Sequence, residues 1–178
     1  SWNWGGTDIG VSYLQQSPLK AIRMLGVDGS GEWLGYGIGT YGEGGLIHID
    51  QKTYAQLVLG LDTVVFPKLR LVLEGYYNGV GQSQRVSDQR DPNTLYWGQL
   101  SRHYVGAIFN YEWHPLLQVS WQTIYNVDDG SSVIGPRLLW SFRENWDLSL
   151  GGSKMSGRSG SEFAYYPNQI YMSVETYF

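Results

Sequence analysis

Residues 168–178 read NQIYMSVETYF. Because side chains alternate between the two faces of a β-strand, every second residue shares a face. The first face is mostly apolar and consists of Ile170, Met172, Val174, Thr176 and Phe178. The second is mostly polar and consists of Gln169, Tyr171, Ser173, Glu175 and Tyr177. The stretch therefore predicts a strand with one apolar side and one polar side.

The same two-faced alternation recurs upstream, and each segment that shows it is predicted to be a strand. These segments are Thr53–Val65, Leu69–Asn78, Arg102–Trp113, Leu117–Asn126, Ile134–Arg143 and Trp146–Gly151. Short turns are predicted at Phe66–Lys68, His114–Leu116 and Glu144–Asn145, and long polar connections at Val80–Leu100 and Met155–Pro167. Short connections on one side of a sheet and long ones on the other are typical of outer-membrane barrels.

The N-terminal part is less regular and leaves two strand counts open. Thr7–Gln15 and Trp33–Tyr41 alternate as strands do, whereas Leu19–Val27 is compatible with a strand or a short helix. If it is a strand, Asp28–Gly31 forms a tight turn and the chain has ten antiparallel strands. If it is a helix, an eight-stranded barrel begins at Trp33.

Composition favours a membrane barrel over a soluble β-protein. Aromatic residues make up 15% of the chain and charged residues only 16%, against about 25% charged in typical globular domains. Mean hydropathy is nevertheless only -0.28, because only every second residue of a barrel strand faces lipid. The prediction is one domain, residues 1–178, forming an all-β, transmembrane, antiparallel up-and-down β-barrel of ten strands, with eight as the alternative.

Aromatic residues near the ends of the predicted strands fit the same fold. Outer-membrane barrels carry aromatic girdles at both membrane interfaces. The predicted membrane-interface residues are Tyr111, Trp113, Phe142 and Trp146.

Two features resemble porin-like outer-membrane β-barrel proteins of Gram-negative bacteria. A final strand that stops at Phe178 is similar to the C-terminal signal that the barrel-assembly machinery reads in that family. Short strings in the family's order are Leu59–Asp62, Leu73–Gly79, Arg102–Gly106, Asn126–Ser131 and Gly160–Phe163. The resemblance implies an outer-membrane location with the lipid bilayer and that machinery as partners, and an even strand count puts both termini in the periplasm. Family members are longer, which implies a fragment or an engineered barrel.

Charged residues on the predicted inner face are the candidate lumen lining. They are Asp62, Arg70, Glu74, Arg102, Glu112, Arg137 and Glu175. Charges of both signs are compatible with a lining that selects solutes and equally with a packed plug of paired charges, since a narrow barrel can be filled by its own side chains.

The function predicted from these residues is a passive, porin-like channel for small polar or charged solutes. The first alternative is a small structural or engineered barrel whose lumen is plugged. The second is a hydrolase at the outer rim. Its candidate residues do not occur at a diagnostic spacing; they are His48, Asp50, Asp88, Asp91, Asp128 and Asp129. We expect no enzyme activity, metal or cofactor, and the net charge of -4 argues against a nucleic-acid partner. The oligomeric state stays open.

Overall fold

A computed structural model describes residues 2–4, 7–16, 22–33, 37–49, 51–81 and 101–177. They form one antiparallel sheet of 11 strands in chain order, in which each strand pairs with the next. The strands are β1 (Trp2–Trp4), β2 (Thr7–Gln16), β3 (Ile22–Trp33), β4 (Ile38–Ile49), β5 (Lys52–Phe66), β6 (Leu69–Asn78), β7 (His103–His114), β8 (Leu117–Asn126), β9 (Ser132–Arg143), β10 (Trp146–Ser156) and β11 (Gln169–Thr176). A 3-10 turn, Phe163–Tyr165, is the only helical element in the described ranges. No helix in these ranges is long and apolar enough to span a bilayer.

The up-and-down arrangement and the predicted ten strands are confirmed, with the 3-residue β1 as an addition at one edge. The predicted bounds of β6 and β8 match the structure at both ends. The eight-stranded alternative is wrong, because β2 and β3 pair along their whole length and β3 continues into the same sheet as β4.

The predicted turn at Asp28–Gly31 is wrong, and the predicted strand Trp33–Tyr41 has the wrong bounds. Asp28–Gly31 lies inside β3, where the ladders to β2 and β4 on either side hold turn-prone residues extended. β3 ends at Trp33, and β4 begins at Ile38, directly after Gly37. Gly37 has a φ of 69° there, and its N–H donates to Glu32 Oε1 at 2.9 Å. Glycine tolerates this left-handed conformation at no steric cost.

The predicted closure into a barrel is not observed, because the sheet is open. In the described part of the chain, no ladder joins β11 to β1 or β2. The edge of β2 is partly occupied by β1, which pairs with Thr7–Ile9. A strand folded back on this edge leaves fewer free backbone groups to receive β11.

The sheet has a turn end and a loop end, and an outer face and an inner face. The turn end carries the short reversals at 67–68, 115–116 and 144–145, and register shifts accompany these turns in β5, β7 and β10. The loop end carries the connections 127–131 and 157–168. The outer face is the one that contains Phe109, and the inner face is the one that contains Ile108. The tight turns and the long 157–168 connection were predicted correctly.

The sheet has almost no conventional core. Ile47 and Tyr104 are the only buried hydrophobic side chains among the described residues. Large apolar side chains instead stand exposed, mainly on the outer face, with Trp113 at 69% and Ile170 at 95% exposure. Soluble monomers rarely expose contiguous apolar surface on this scale.

Candidate functional site

The inner face carries the predicted charged residues, with one exception. Asp62 lies on β5, Arg70 and Glu74 on β6, Glu112 on β7, Arg137 on β9 and Glu175 on β11, and the strand registers place all six on this face. Arg102 instead precedes β7 at the loop end. Its Nε donates to the Gly81 carbonyl at 2.8 Å, and its backbone N–H donates to Asp128 Oδ2 at 2.7 Å. The sequence pattern placed it one residue inside the strand.

A polar row crosses the inner face near the turn end. Arg70, Asn110, Ser120 and Arg137 are consecutive partners across β6 to β9, and we call these four residues the inner row. Arg70 Nε donates to Asp62 Oδ1 at 2.8 Å, and its Nη2 also contacts this carboxylate. Arg137 Nε donates to Ser149 Oγ at 3.0 Å. The inner row therefore has a guanidinium group at each end, with an amide and a hydroxyl between them.

A second contact spans the inner face farther from the turn end. The Tyr41 hydroxyl, on β4, donates to Glu74 Oε1 on β6 at 2.6 Å and so reaches across β5. The ring occupies the space above Gly60, where an added Cβ atom would collide with Tyr41 Cζ. The missing side chain at Gly60 therefore permits a cross-strand aromatic to pack directly on the backbone.

At the loop end, the 157–168 connection folds over the inner face and is anchored by a buried carboxylate. Glu162 is only 1% exposed. Its Oε2 accepts hydrogen bonds from the Tyr104 hydroxyl at 2.6 Å and from Asn126 Nδ2 at 2.8 Å, and its backbone N–H donates to Asp129 Oδ2 at 2.7 Å. The same Tyr104 hydroxyl accepts from the Ser101 N–H at 2.6 Å. We call these five residues the Glu162 network, which joins β7, β8 and three connections: the one that precedes β7, 127–131 and 157–168.

Asp128 clamps the 127–131 loop to the start of β7. Its Oδ2 accepts from the backbone N–H groups of Arg102 and His103, and its Oδ1 lies 2.9 Å from His103 Nδ1. Burial raises the pKa of Asp128, but the hydrogen bonds from the His103 side chain and from the two N–H groups outweigh it and hold the pKa below its ordinary value of 3.8. The carboxylate is therefore stabilised in its charged form.

Replacing Asp128 with asparagine should loosen this clamp. Asn keeps the shape but removes the charge, and hydrogen bonds to a charged group are worth about 1.5–3 kcal/mol. We expect the Arg102 and His103 amides to exchange with deuterium about tenfold faster in Asp128→Asn, whereas Glu144→Gln, in a turn at the opposite end, should leave them unchanged. In the unmodified protein the contribution of Asp128 is complete above pH 3.8 and is lost as pH falls through its lowered folded-state pKa. Amide exchange that is equal in both variants would contradict the clamp.

Of the rim residues considered for hydrolysis, those that the structure describes are not assembled into a catalytic group. Asp50, Asp88 and Asp91 lie outside the described residues. His48 Nδ1 lies 3.1 Å from Thr53 Oγ1. His103 and Asp128 do form a pair, but both Asp128 oxygens are occupied by the clamp. Within the ranges that the structure covers, no group of three or more His, Cys, Asp or Glu residues could hold a metal ion.

The predicted interface aromatics gather at the turn end of the outer face. Tyr111 and Trp113 meet edge to face with ring centroids 6.2 Å apart. Phe142 lies between Trp140 and Trp146, with centroid distances of 5.8 and 6.3 Å. The four predicted residues therefore lie in two clusters at the same end of the sheet, one on β7 and one on β9 and β10, with β8 between them. We call these two clusters the aromatic band. Phe178 lies outside the described residues.

Comparison with known proteins adds no relative: the chain matches no family model, no curated protein and no solved structure. The resemblance to porin-like proteins therefore remains a prediction. Three of the strings that carry it, Arg102–Gly106, Asn126–Ser131 and Gly160–Phe163, nevertheless converge in the Glu162 network. Their role as one structural unit was not recognised from the sequence. The available signal was that each is a polar string at a strand end.

Proposed function

We propose that this chain forms the wall of a porin-like channel in the outer membrane of a Gram-negative bacterium. In this proposal the outer face contacts lipid and the inner face lines a passive path for small polar or charged solutes. The turn end and both termini lie on the periplasmic side, and the loop end faces outward. The barrel-assembly machinery would act on the last strand during insertion.

The exposed apolar outer face is the observation that carries the proposal. Val105, Phe109 and Trp121 lie on adjacent strands and are all solvent-exposed in the isolated sheet. A protein that works in water would cover such a surface with a second sheet or with helices. A lipid bilayer covers it without any further protein element.

Strand length fits the same environment. β10 has 11 residues. At about 3.3 Å per residue it extends about 36 Å, and a tilt of about 45° reduces this to about 25 Å along the membrane normal. The apolar band of outer-membrane barrels is about 25 Å tall. The aromatic band at the turn end then lies at one interface.

The open edges must be paired in this setting. A lipid bilayer offers no partner for backbone N–H and C=O groups, and each unpaired group costs several kcal/mol. We therefore propose that β11 and the free part of β2 acquire strand partners in the membrane and that the barrel is closed there. Opening of the β1 hairpin would free the whole edge of β2 for this pairing.

Conductance across planar bilayers tests the channel. We expect protein refolded in detergent to give discrete current steps in KCl, and to migrate differently on a gel before and after boiling, because a closed barrel resists SDS until it is heated. A membrane that stays electrically sealed despite heat-modifiable protein would reject the channel in favour of the plugged structural barrel. Protein that dissolves without detergent and shows no heat shift would reject the membrane barrel itself.

A further inference from the structure

A cavity of about 370 Å³ opens on the inner face around the inner row. Three cations line it, Lys68, Arg70 and Arg137, against the single carboxylate of Glu112. Asp62 is paired with Arg70 but is not among the residues that line the cavity. Even with Asp62 counted, cations remain in excess, although the chain as a whole carries a net charge of -4.

The balance of charge differs between two cavities at the turn end, although each contains both signs. A second cavity of about 540 Å³ is lined by one cation, Arg143, and by two acids, Glu144 and Asp147. A plug built from evenly paired charges gives no reason for this difference. A path that attracts solutes of one sign does, because a cleft with an excess of one sign of charge concentrates the opposite ion.

Arg137 is the cation with the least compensation in the positive cavity. Arg70 is held by Asp62, and Lys68 Nζ lies 3.9 Å from Glu112 Oε1. No ion pair involves Arg137 in the part of the chain that the structure describes. Its Nε donates instead to the neutral hydroxyl of Ser149. Its guanidinium is therefore the group best able to accept an external anion.

The neutral members of the inner row complete the site. Asn110 and Ser120 lie between the two arginines and supply an amide and a hydroxyl donor on the same wall. Adjacent strands are about 4.8 Å apart, so the backbone positions of Arg70 and Arg137 are separated by about 14 Å. The four side chains therefore present donors along about 14 Å of one wall of the cavity.

We propose that this cavity is a binding site for small oxyanions, namely carboxylates or phosphate, with Arg137 as the principal contact. Arginine recognises both groups through two parallel N–H···O bonds. Asn110 and Ser120 donate to the remaining oxygens, and Lys68 and Arg70 add positive potential. The site makes the proposed channel selective for anions; that consequence rests on the proposed function, whereas binding itself requires only the folded protein.

The test measures binding and transport separately. Inorganic phosphate is titrated into the folded protein in detergent micelles and followed by the ³¹P linewidth, and the anion-to-cation permeability ratio is obtained from reversal potentials in a KCl gradient. We expect Arg137→Gln to weaken phosphate binding about fivefold, as removal of one unit charge at about 4 Å in water implies, and to lower the permeability ratio. Arg137→Lys keeps the charge but loses the planar fork, so its effect should be intermediate.

Arg143→Gln is the matched control, since it removes the same charge from the same strand but from the acidic cavity. It should leave phosphate binding unchanged. Equal losses in Arg137→Gln and Arg143→Gln would overturn the site, because they would indicate a general surface-charge effect. Phosphate binding that depends on Arg137 in a protein that does not conduct would keep the site and reject the channel. Conductance without such binding would keep the channel and reject the site.

Discussion

Phe109→Arg is expected to destabilise the protein in lipid by about 2–4 kcal/mol, whereas Ile108→Arg, one residue away, should cost far less. The two side chains lie midway along β7 on opposite faces, and their exposure in the isolated sheet is nearly equal, at 40% and 36%. In water, equal exposure implies that the two arginine substitutions reduce stability by similar amounts. In a bilayer only the outer position faces hydrocarbon, where a charge at the midplane is expensive. Denaturant unfolding from lipid vesicles, followed by tryptophan fluorescence, measures the difference.

A third variant separates depth from the loss of an aromatic ring. Trp113 lies on the same face and strand as Phe109 but in the aromatic band at the turn end. Near the interface the cost of an arginine falls to about 0–1 kcal/mol, so Trp113→Arg should be much milder than Phe109→Arg. Equal costs for Phe109→Arg and Ile108→Arg would show that both faces meet water, and the proposed membrane wall would have to be abandoned.

The strands that could be predicted from the sequence are those in which bulky residues mark one face. β6 and β8 alternate clearly, and each begins just after a turn that contains Pro67 or Pro115. β3 and β4 are rich in glycine, which leaves no side chain to mark a face and reads locally as a turn. Their true register is set by neighbours on both sides, which is a non-local effect that no short window contains.

The candidate site, too, could be predicted from the sequence only in part. Alternation predicted that Arg70 and Arg137 share a face, and the strand registers place them on one face, because the face of a strand residue follows from its parity. It did not reveal that Asn110 and Ser120 lie between them, since this depends on the registers of β6 to β9. The choice between a selective lining and a paired plug likewise depends on which charges meet, and the structure pairs Arg70 but not Arg137 with a carboxylate among its described residues.

The cavity at the turn end and the 157–168 connection at the loop end bear on how the proposed channel would work. At the turn end, a cavity with an excess of cations opens on the inner face. At the loop end, the 157–168 connection reaches over β9 to contact β7 and β8 on the inner face. In the proposed channel this loop would therefore narrow the path at the end opposite to the positive cavity. A solute that enters from the loop end would pass this connection before it reaches Arg137.

Removing the Glu162 carboxylate is expected to release that connection. In Glu162→Ala the Tyr104 hydroxyl and Asn126 Nδ2 lose a shared acceptor in a buried position, and an unsatisfied buried group costs about 1–3 kcal/mol. Arg158 lies in the connection and is exposed, so trypsin provides the measurement. When opening is fast relative to cleavage, proteolysis follows the population of the open form. We expect cleavage after Arg158 to accelerate about tenfold or more, since each 1.4 kcal/mol is a factor of ten.

Two further variants make this outcome specific to the Glu162 network. Glu162→Gln keeps one acceptor oxygen and should give an intermediate rate, while Glu144→Ala removes an exposed carboxylate at the turn end and should leave cleavage unchanged. If the connection narrows a conducting path, Glu162→Ala should also raise single-channel conductance, because the freed loop no longer occupies the inner face. Faster cleavage without a change in conductance would mean that the loop is anchored as described but lies beside the path. Unchanged cleavage in Glu162→Ala would refute the anchoring role, because the buried acceptor would then contribute nothing to holding the loop.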